Sequence, residues 1–508
     1  PSSYDLRTLG RMTSIKDQKT WGTCWSFGTY ASMESSLLPD EPRNFSEKNL
    51  VNRHGFDWGY DDGGNGYVSM AYLLRWEGPV NESDDPYPTG SWSSSSAGLP
   101  IQKHIQQVQM IPGKVGPTDN AAIKQAIMDH GAVLVNFYYD SFYYNSTNSS
   151  YLFTGSAAIN HGVAIVGWDD GFDRMKFTTP AAGNGAYIVK NSWGTSWGDS
   201  GYFYVSYYDT EFAYGDMHCF MNAEPIDHFD SIYQYDHLGW VSSLSTPWAA
   251  AVYTATSIET LKAVGFYTDG DTTSYSLYVY KGVPAGAPRS GTLACSMSGS
   301  ISTAGFHTLT LTTPPDLTPG ERFSVVLHLG GTSPYPQAFE MAYSGYSSAA
   351  TAGAEETYYS FDGNSFSDLT TFDSSANFCL KAYAVEDGDG DGIPDWWEAM
   401  YFGHCSNCLW NADNDGDGQN NLSEYIAGMC PTNAASVFMI TNCIPLAPGF
   451  MIEWPSVSSR VYSTHWTDSL TNSFHSLESD IPYPRNSSTD TTHNVNESGF
   501  YQVEVQLK

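Results

Sequence analysis

The chain has 508 residues, too many for one hydrophobic core, so we expect about three or four domains. It carries 22 Lys and Arg against 55 Asp and Glu, and the formal net charge of −33 argues against nucleic acid or an anionic membrane as a partner. No apolar run reaches the roughly 18 residues that a membrane span requires, so none is predicted.

The first chemically informative segment, residues 16–28, places Gln18 shortly before Cys24. Residues 25–34 carry helical spacing of apolar side chains, which predicts a helix beginning near Cys24 with Thr23 as its N-cap. A thiol at that position faces the positive end of the helix dipole and free backbone N–H groups, which lower its pKa. Gln18 offers a side-chain amide that can donate to a tetrahedral oxyanion. The alternative for Cys24 is a buried structural cysteine.

A predicted helix over residues 120–131, stopped by Gly131, precedes a predicted strand over residues 132–137 that begins a β-rich half. A helical lobe and a sheet lobe would then face each other across a cleft, where substrates usually bind.

Two later segments supply partners for the thiol. His161 opens an apolar run that predicts a buried strand, and Asn191 closes another apolar run. A cysteine followed by a distant His and a later Asn is the order expected of a papain-type nucleophile. His161 would take the thiol proton and deliver it to the leaving amine, while Asn191 would fix the orientation of the imidazole.

These blocks together resemble the papain family (C1-type) of cysteine peptidases over about the first 220 residues. The resemblance is carried by segments 4–7, 18–25, 45–51, 63–66 and 160–168, and by the later segment 191–202. It implies a two-lobed α+β domain with a catalytic set of Cys24, His161 and Asn191, Gln18 as oxyanion donor together with the backbone N–H of Cys24, a substrate-binding edge of Gly64, Asn65 and Gly66, and an indole of Trp193 over the site. No cofactor is expected for catalysis.

The sequence departs from the family pattern at several positions. Trp21 and Gly64 stand where the family has the two cysteines of one disulfide, and Arg53 stands where a second disulfide has a cysteine. The domain is therefore expected to be held by packing alone. The glycine segment is one Gly short, since Tyr67 follows Gly66, which puts the form of the substrate edge in question.

The eight cysteines give three candidate pairs, with the connectivity left open: Cys405–Cys408, Cys430–Cys443 and Cys295–Cys379. The chain starts at Pro1, near the family's usual mature start, so we expect a signal and a propeptide to have been removed or left out. The predicted location is extracellular or on the cell surface.

Residues 224–385 show strand-like runs between Gly, Pro and Ser turns and almost no helical periodicity, which predicts an all-β sandwich. Segments 235–240 and 359–363 resemble a lectin-like domain that follows the peptidase in some bacterial and archaeal members. A glycan or cell-surface ligand is implied by that resemblance, but exposed aromatics forming a sugar platform and an ordinary β core remain equally open.

Two acidic loops follow as an internal repeat, with oxygen ligands at positions 1, 3, 5, 9 and 12, the main-chain carbonyl at position 7, and Gly at position 6. This is the arrangement that Ca²⁺ requires. A solvated acidic linker is the alternative. The loops resemble dockerin or thrombospondin-type-3 repeats, which implies a rigid calcium-dependent spacer or, less directly, a cohesin-type partner. The predicted ligands of the first loop are Asp387, Asp389, Asp391, Ile393, Asp395 and Glu398, and those of the second are Asp413, Asp415, Asp417, Gln419, Asn421 and Glu424.

The predicted organisation is therefore a peptidase domain over residues 1–223, a lectin-like β-sandwich over 224–385, a calcium-loop module over 386–433, and a small C-terminal β-sandwich over 434–508. The predicted function is a secreted cysteine endopeptidase that acts on peptide or protein substrates. Two alternatives remain: an adhesin whose papain-like domain binds peptide without cutting it, and a carbohydrate-binding surface protein.

Overall fold

The structure, a computed structural model, describes residues 1–270, 272–403, 409–446, 449–493 and 498–507. The described residues form two compact units, of which the first contains residues 1–255, 261–315 and 319–384. The second contains residues 256–260, 316–318 and 385–508. None of the helices in the described ranges combines the length and apolar character of a membrane-crossing segment. Cys405 and Cys408 lie outside the described residues.

The N-terminal part of the first unit combines four helices with a mostly antiparallel sheet. Its helices are α1 (Cys24–Leu37), α2 (Glu47–Arg53), α3 (Gly66–Leu74) and α4 (Ala121–Asp129). Its strands are β1 (Ser3–Asp5), β2 (His104–Ile111), β3 (Val133–Phe137), β4 (Tyr144–Asn145), β5 (Ser150–Tyr151), β6 (His161–Asp169), β7 (Ala186–Lys190), β8 (Tyr202–Ser206) and β9 (Met217–Glu224).

Helix α1 is the central element of this part, because it is buried on nearly every face and lies against β3, β6 and β9. Its buried hydroxyls are hydrogen-bonded to the backbone, as Ser26 Oγ is to the Thr23 carbonyl oxygen and Thr29 Oγ1 to that of Trp25, so burial does not leave them unsatisfied. Gly28 permits the close approach to the sheet, since a Cβ there would lie 2.4 Å from Leu134 Cδ1 and 3.1 Å from the carbonyl oxygen of Val163. The predicted helix start at Cys24 is confirmed.

The rest of the first unit is almost entirely β. The strands between residues 231 and 386 are β10 (Ser231–Tyr233), β11 (Ser242–Leu244), β12 (Trp248–Thr254), β13 (Glu259–Thr268), β14 (Thr273–Lys281), β15 (Thr292–Ile301), β16 (Ala304–Thr310), β17 (Asp316–Leu317), β18 (Arg322–Gly330), β19 (Gln337–Glu340), β20 (Thr357–Ser360), β21 (Ser367–Asp368), β22 (Asn377–Phe378) and β23 (Leu380–Glu386). Of these, β17, the first two residues of β13 and the last two of β23 belong to the second unit. A six-stranded sheet has the order β15-β14-β18-β12-β20-β21. Strands β22 and β23 are separated only by Cys379.

One sheet connects the two parts of the first unit. Strand β16 pairs antiparallel with β2, so the strand order runs β10-β23-β13-β16-β2-β9-β3-β6-β7-β8-β5-β4. One apolar core cluster likewise joins Trp25 and Leu74 to Tyr267, Phe306 and Ala350. The two sequence-defined parts therefore share both backbone hydrogen bonds and buried side chains.

The second unit contains the acidic loops and two small sheets. Helices α5 (Asp395–Phe402) and α6 (Asn421–Ala427) follow the loops. Its strands are β24 (Asn442–Pro445), β25 (Phe450–Glu453), β26 (Arg460–Thr467), β27 (His475–Pro482), β28 (Ser487–Asp490) and β29 (Phe500–Leu507). They form sheets ordered β24-β25-β28 and β27-β26-β29, around a core of Ile452, Trp454, Tyr462 and Ile481.

Thr23 is the N-cap residue of α1 as predicted, but its side chain makes no capping hydrogen bond, because its Oγ1 bonds the Tyr87 hydroxyl at 2.6 Å instead. The candidate pairs Cys295–Cys379 and Cys430–Cys443 are not disulfides, because all four residues are free thiols. Cys295 and Cys379 are both buried, and Cys379 packs in the core cluster that includes Trp25.

Candidate active site

Cys24 is the first residue of α1, and its thiol meets the beginning of β6. The backbone N–H of Gly162 donates to Cys24 Sγ at 3.2 Å. Since Gly162 directly follows His161, this contact brings the predicted nucleophile and the predicted base to the same point. The sequence analysis did not predict the hydrogen bond from Gly162 to Cys24. The position of Gly162, directly after the predicted base His161, could have indicated it.

His161 and Asn191 form a buried hydrogen-bonded pair at the ends of neighbouring strands. His161 Nε2 lies 2.8 Å from Asn191 Oδ1, which also accepts the Ser192 N–H at 2.9 Å. The second contact identifies this amide atom as the oxygen, so Nε2 carries the ring hydrogen in neutral His161. Nδ1 is then left as the proton acceptor of the imidazole.

Trp193 covers this pair as the sequence predicts. Its indole stacks on the imidazole of His161, with ring centroids 4.6 Å apart and planes at 20°. Tyr139 and Trp197 in turn pack edge-on against the Trp193 ring. The aromatic cover excludes water from the hydrogen bond between His161 and Asn191, and hydrogen bonds are stronger in such a setting.

Gln18 is buried and held from both ends of its side-chain amide. Its Nε2 donates to the carbonyl oxygen of Trp21 at 2.8 Å, and its Oε1 accepts from Ser192 Oγ at 2.6 Å. The Gln18 backbone N–H also donates to the Ser192 carbonyl oxygen at 2.8 Å. Ser192, which sequence reasoning missed, therefore links Gln18 to Asn191, its neighbour in the chain.

Burial determines the electrostatics of the site. It raises the pKa of the Cys24 thiol, although the N–H groups of Gly162, Trp25 and Cys24 oppose the rise. Burial also lowers the pKa of His161 to about 4, against the opposing hydrogen bond from Asn191. The expectation of a lowered thiol pKa is therefore wrong for this geometry, because desolvation outweighs the helix N-terminus. Both shifts favour a neutral thiol and a neutral imidazole.

A cavity of about 380 Å³ opens beside Cys24 and His161. Of the predicted substrate edge, Gly64 and Asn65 line it, whereas Gly66 is buried as the first residue of α3. The other lining residues are Gly22, Trp58, Asp61, Asp62, Gly63, Asn136, Ile159, Asn160 and Gly162. Gly64 admits no side chain, since a Cβ there would lie 2.2 Å from the Trp25 ring.

Comparison with known proteins identifies the class of both parts of the first unit. Residues 1–226 match the family described as papain family cysteine protease. Residues 232–384 match the family described as lectin like domain. The chain thus contains a papain-family cysteine protease domain followed by a lectin-like domain, and this part of the predicted fold class is confirmed.

Individual relatives agree with that assignment. The chain is 31% identical over 211 residues to cysteine proteinase 2 of Entamoeba histolytica, covering 40% of this chain and 62% of that protein. It is 32% identical over 213 residues to thiol protease SEN102 of Hemerocallis, covering 40% and 53%. The matched region is less than two thirds of the length of either relative.

Two solved structures of one clostridial protein resemble this chain over a greater length. The cysteine protease Cwp84 after propeptide cleavage superposes with a TM-score of 0.67 at 27% identity, covering 76% of this chain and 99% of that one. The cysteine protease and lectin-like domains of Cwp84, a surface layer associated protein of Clostridium difficile, give a TM-score of 0.66 at 26% identity, covering 76% and 88%.

The acidic loops of the second unit gather the carboxylates that the sequence predicts. Ligand oxygens of Asp387, Asp389 and Asp391 lie within 4.8 Å of one another, as do those of Asp413, Asp415 and Asp417. Backbone N–H groups within each loop donate to its first aspartate, for example Gly392 to Asp387 and Gly418 to Asp413.

The last residue of each loop is a buried carboxylate. Glu398 and Glu424 are both fully buried, and neither side chain has a hydrogen-bond partner among the described residues. Burial and, after it, the carboxylates of Asp389 and Asp391 raise the pKa of Glu398 to about 8. Such orphaned oxygens beside other carboxylates fit a hard divalent cation.

Proposed function

We propose that this protein is a cysteine endopeptidase that hydrolyses peptide bonds through Cys24, His161 and Asn191. The observation that carries the proposal is the convergence of the Cys24 thiol and the His161–Asn191 pair beside one open cavity. A neutral imidazole whose Nε2–H is held by Asn191 presents Nδ1 as a base, which is the arrangement that activates a thiol.

In the acylation step, Cys24 Sγ attacks the carbonyl carbon of the peptide while His161 takes the thiol proton. The oxyanion is stabilised by the Cys24 N–H and by Gln18 Nε2, which has two hydrogens and gives only one of them to the Trp21 carbonyl. His161 then protonates the leaving amine, the C–N bond breaks, and a thioester remains on Cys24.

In the deacylation step, His161 removes a proton from water as the water attacks the thioester. The carboxylic acid product leaves, and the sulfur of Cys24 regains the proton. Because burial disfavours both the thiolate and the imidazolium, the proton passes from Cys24 to His161 as the thiol attacks rather than beforehand.

The test is hydrolysis of a fluorogenic peptide pool by the full chain and by Cys24→Ala across pH. Thiol-dependent cleavage that disappears in Cys24→Ala supports the proposal, and the products give the cleavage sites. Absence of cleavage in folded protein whose Cys24 is reduced favours the adhesin alternative, to which the burial of Gly66 away from the cavity also points.

We further propose that the two acidic loops bind Ca²⁺ and stabilise the second unit as a spacer. The orphaned oxygens of Glu398 and Glu424 support this proposal. Calorimetric titration with CaCl₂ should give two sites per chain, and Glu398→Gln and Glu424→Gln should each remove one. Absence of binding heat in metal-free protein would leave the acidic-linker alternative.

We infer an extracellular or cell-surface location, with the lectin-like domain directing the enzyme to a glycan or surface ligand. The similarity to a surface layer associated protein supports the location. A glycan array probed with the Cys24→Ala chain tests the ligand, and fractionation of the source cells tests the location.

A further inference from the structure

One wall of the substrate cavity has no regular secondary structure of its own. Residues 56–65, the cleft wall, run between the end of α2 and the start of α3, and Trp58 and residues 61–65 line the cavity. Its internal hydrogen bonds include the one from the Gly59 N–H to Asp62 Oδ2 at 2.7 Å. A wall built in this way depends on neighbouring structure for its shape.

That neighbouring structure comes from the lectin-like domain. Residues 343–348, the lectin loop, contact the first residues of the cleft wall. The Asp57 N–H donates to the Tyr346 carbonyl oxygen at 2.9 Å, and Ser348 Oγ donates to Asp57 Oδ1 at 2.5 Å. Trp58 Nε1–H donates to the Gly345 carbonyl oxygen at 3.1 Å. Trp58 thus contacts the lectin loop while it also lines the cavity.

Tyr346 extends these contacts along the wall. Its ring centroid lies 4.8 Å from that of Phe56 and 4.9 Å from that of Trp58. Its side chain also lies near that of Asn65, the residue that caps α3 by accepting the Val68 N–H at 3.0 Å. One tyrosine of the lectin-like domain therefore packs on the first residues of the cleft wall and comes close to its last residue.

The lectin loop is rigid enough to act as a support. The fully buried Ser347 donates through Oγ to the Met341 carbonyl oxygen at 2.8 Å and accepts the Tyr343 N–H at 3.2 Å. Ala350 follows in the apolar core cluster that includes Trp25. The loop is thereby fixed to the same core as the helix that carries Cys24.

We propose that the lectin loop positions the cleft wall, so that the lectin-like domain forms part of the peptide-binding site of the peptidase. Tyr346 and Ser348 are positioning residues, since they act through Trp58, Asp57 and Asn65. This proposal rests on the proposed peptidase function only for its kinetic readout, because peptide binding can be measured without cleavage.

The test uses the full chain with fluorescein-labelled casein, an unfolded protein, as the probe. Tyr346→Ala should raise KM about tenfold while kcat stays within about twofold, because wall contacts bind peptide without touching the reacting atoms. Ser348→Ala should raise KM about threefold. Tyr335→Ala is the matched control, because this tyrosine of the same domain is 54% exposed, and its KM should equal that of the wild type.

A second readout distinguishes positioning from general damage. The rate of Cys24 alkylation by iodoacetamide should be unchanged in Tyr346→Ala, since the thiol and His161 are not altered. Fluorescence anisotropy on the Cys24→Ala background should show casein binding weakened by the same factor. This measurement stands even if the wild type cleaves nothing.

An unchanged KM and unchanged casein affinity in folded Tyr346→Ala would overturn the proposal. The proposal would also be overturned if kcat fell, Cys24 alkylation slowed and the melting temperature dropped together in Tyr346→Ala. That pattern would indicate that the substitution destabilises the whole fold and does not act on the cleft wall.

Discussion

The buried His218 is expected to make the stability of this fold depend on pH. It lies on β9 with 2% of its surface exposed, and neither ring nitrogen has a hydrogen-bond partner among the described residues. Burial lowers the pKa of His218 to about 4, and the carboxylate of Asp216 opposes the shift. The ring of Tyr67 packs edge-on against it at 5.4 Å. Protonation of His218 would place a buried charge against Gly66 at the start of α3, offset only in part by Asp216.

The sign of the pH effect follows from the two pKa values of His218. The unfolded chain, with a pKa near 6.5, binds more protons than the folded chain between about pH 4 and 6.5. The contribution to stability is therefore fully present above pH 6.5 and is lost as the pH falls toward 4. At pH 5 the loss relative to pH 8 is about 2 kcal/mol, within a ceiling of about 3.4 kcal/mol.

Guanidinium chloride unfolding of the wild type and of His218→Phe at pH 8 and pH 5 measures this term. The free energy of unfolding should fall between the two pH values by about 2 kcal/mol more in the wild type than in the variant. His54, His161 and His307 also have lowered pKa values, but their contributions cancel in the difference. His475→Phe, at an exposed position, is the control and should follow the wild type. Equal pH dependence in wild type and His218→Phe would refute the reasoning.

Three further outcomes are expected. Asn191→Ala should lower kcat about 100-fold with little change in KM, because the imidazole loses its partner at 2.8 Å; a change mainly in KM would contradict the assigned role. Gly64→Ala should lower the free energy of unfolding by about 1–3 kcal/mol and reduce turnover, since its Cβ would lie 2.2 Å from the Trp25 ring. A wild-type free energy of unfolding together with wild-type turnover would contradict this prediction. EGTA should lower the melting temperature of wild-type protein, as saturation at 1,000 times Kd contributes about 4.1 kcal/mol, and the Glu398→Gln/Glu424→Gln variant should not respond. Resistance of the wild type to EGTA would argue against calcium.

The positions of the candidate catalytic residues were predictable because each lies where an apolar run begins or ends. Cys24 starts the buried helix α1, His161 starts β6, and Asn191 follows β7. A side chain at the end of a buried element is fixed by the core and still reaches the surface. The order of Cys24, His161 and Asn191 along the chain and the family resemblance named these residues, and the apolar runs beside them indicated the elements that carry them.

The electrostatics and the long-range contacts of the site were not predictable in the same way. The direction of the Cys24 pKa depends on how completely β6 and α1 enclose the thiol, which no local pattern records. The contact between Asp57 and Ser348 joins residues 291 positions apart, both in irregular segments. The disulfide predictions were wrong because they too depended on long-range contacts. Spacing along the chain does not show whether Cys295 and Cys379 lie close enough to bond.

The boundary between the two families in the sequence is not a boundary between folded bodies. Strand β2 belongs to the peptidase domain, and its outer edge is paired with β16 of the lectin-like domain. Without β16 that edge would present unpaired N–H and C=O groups, and the shared core would lose Phe306. The peptidase domain is therefore completed by its neighbour at two places, at this sheet edge and at the cleft wall. A change in the lectin-like domain at either place reaches the peptidase through contacts that already exist, without any movement of one part against the other.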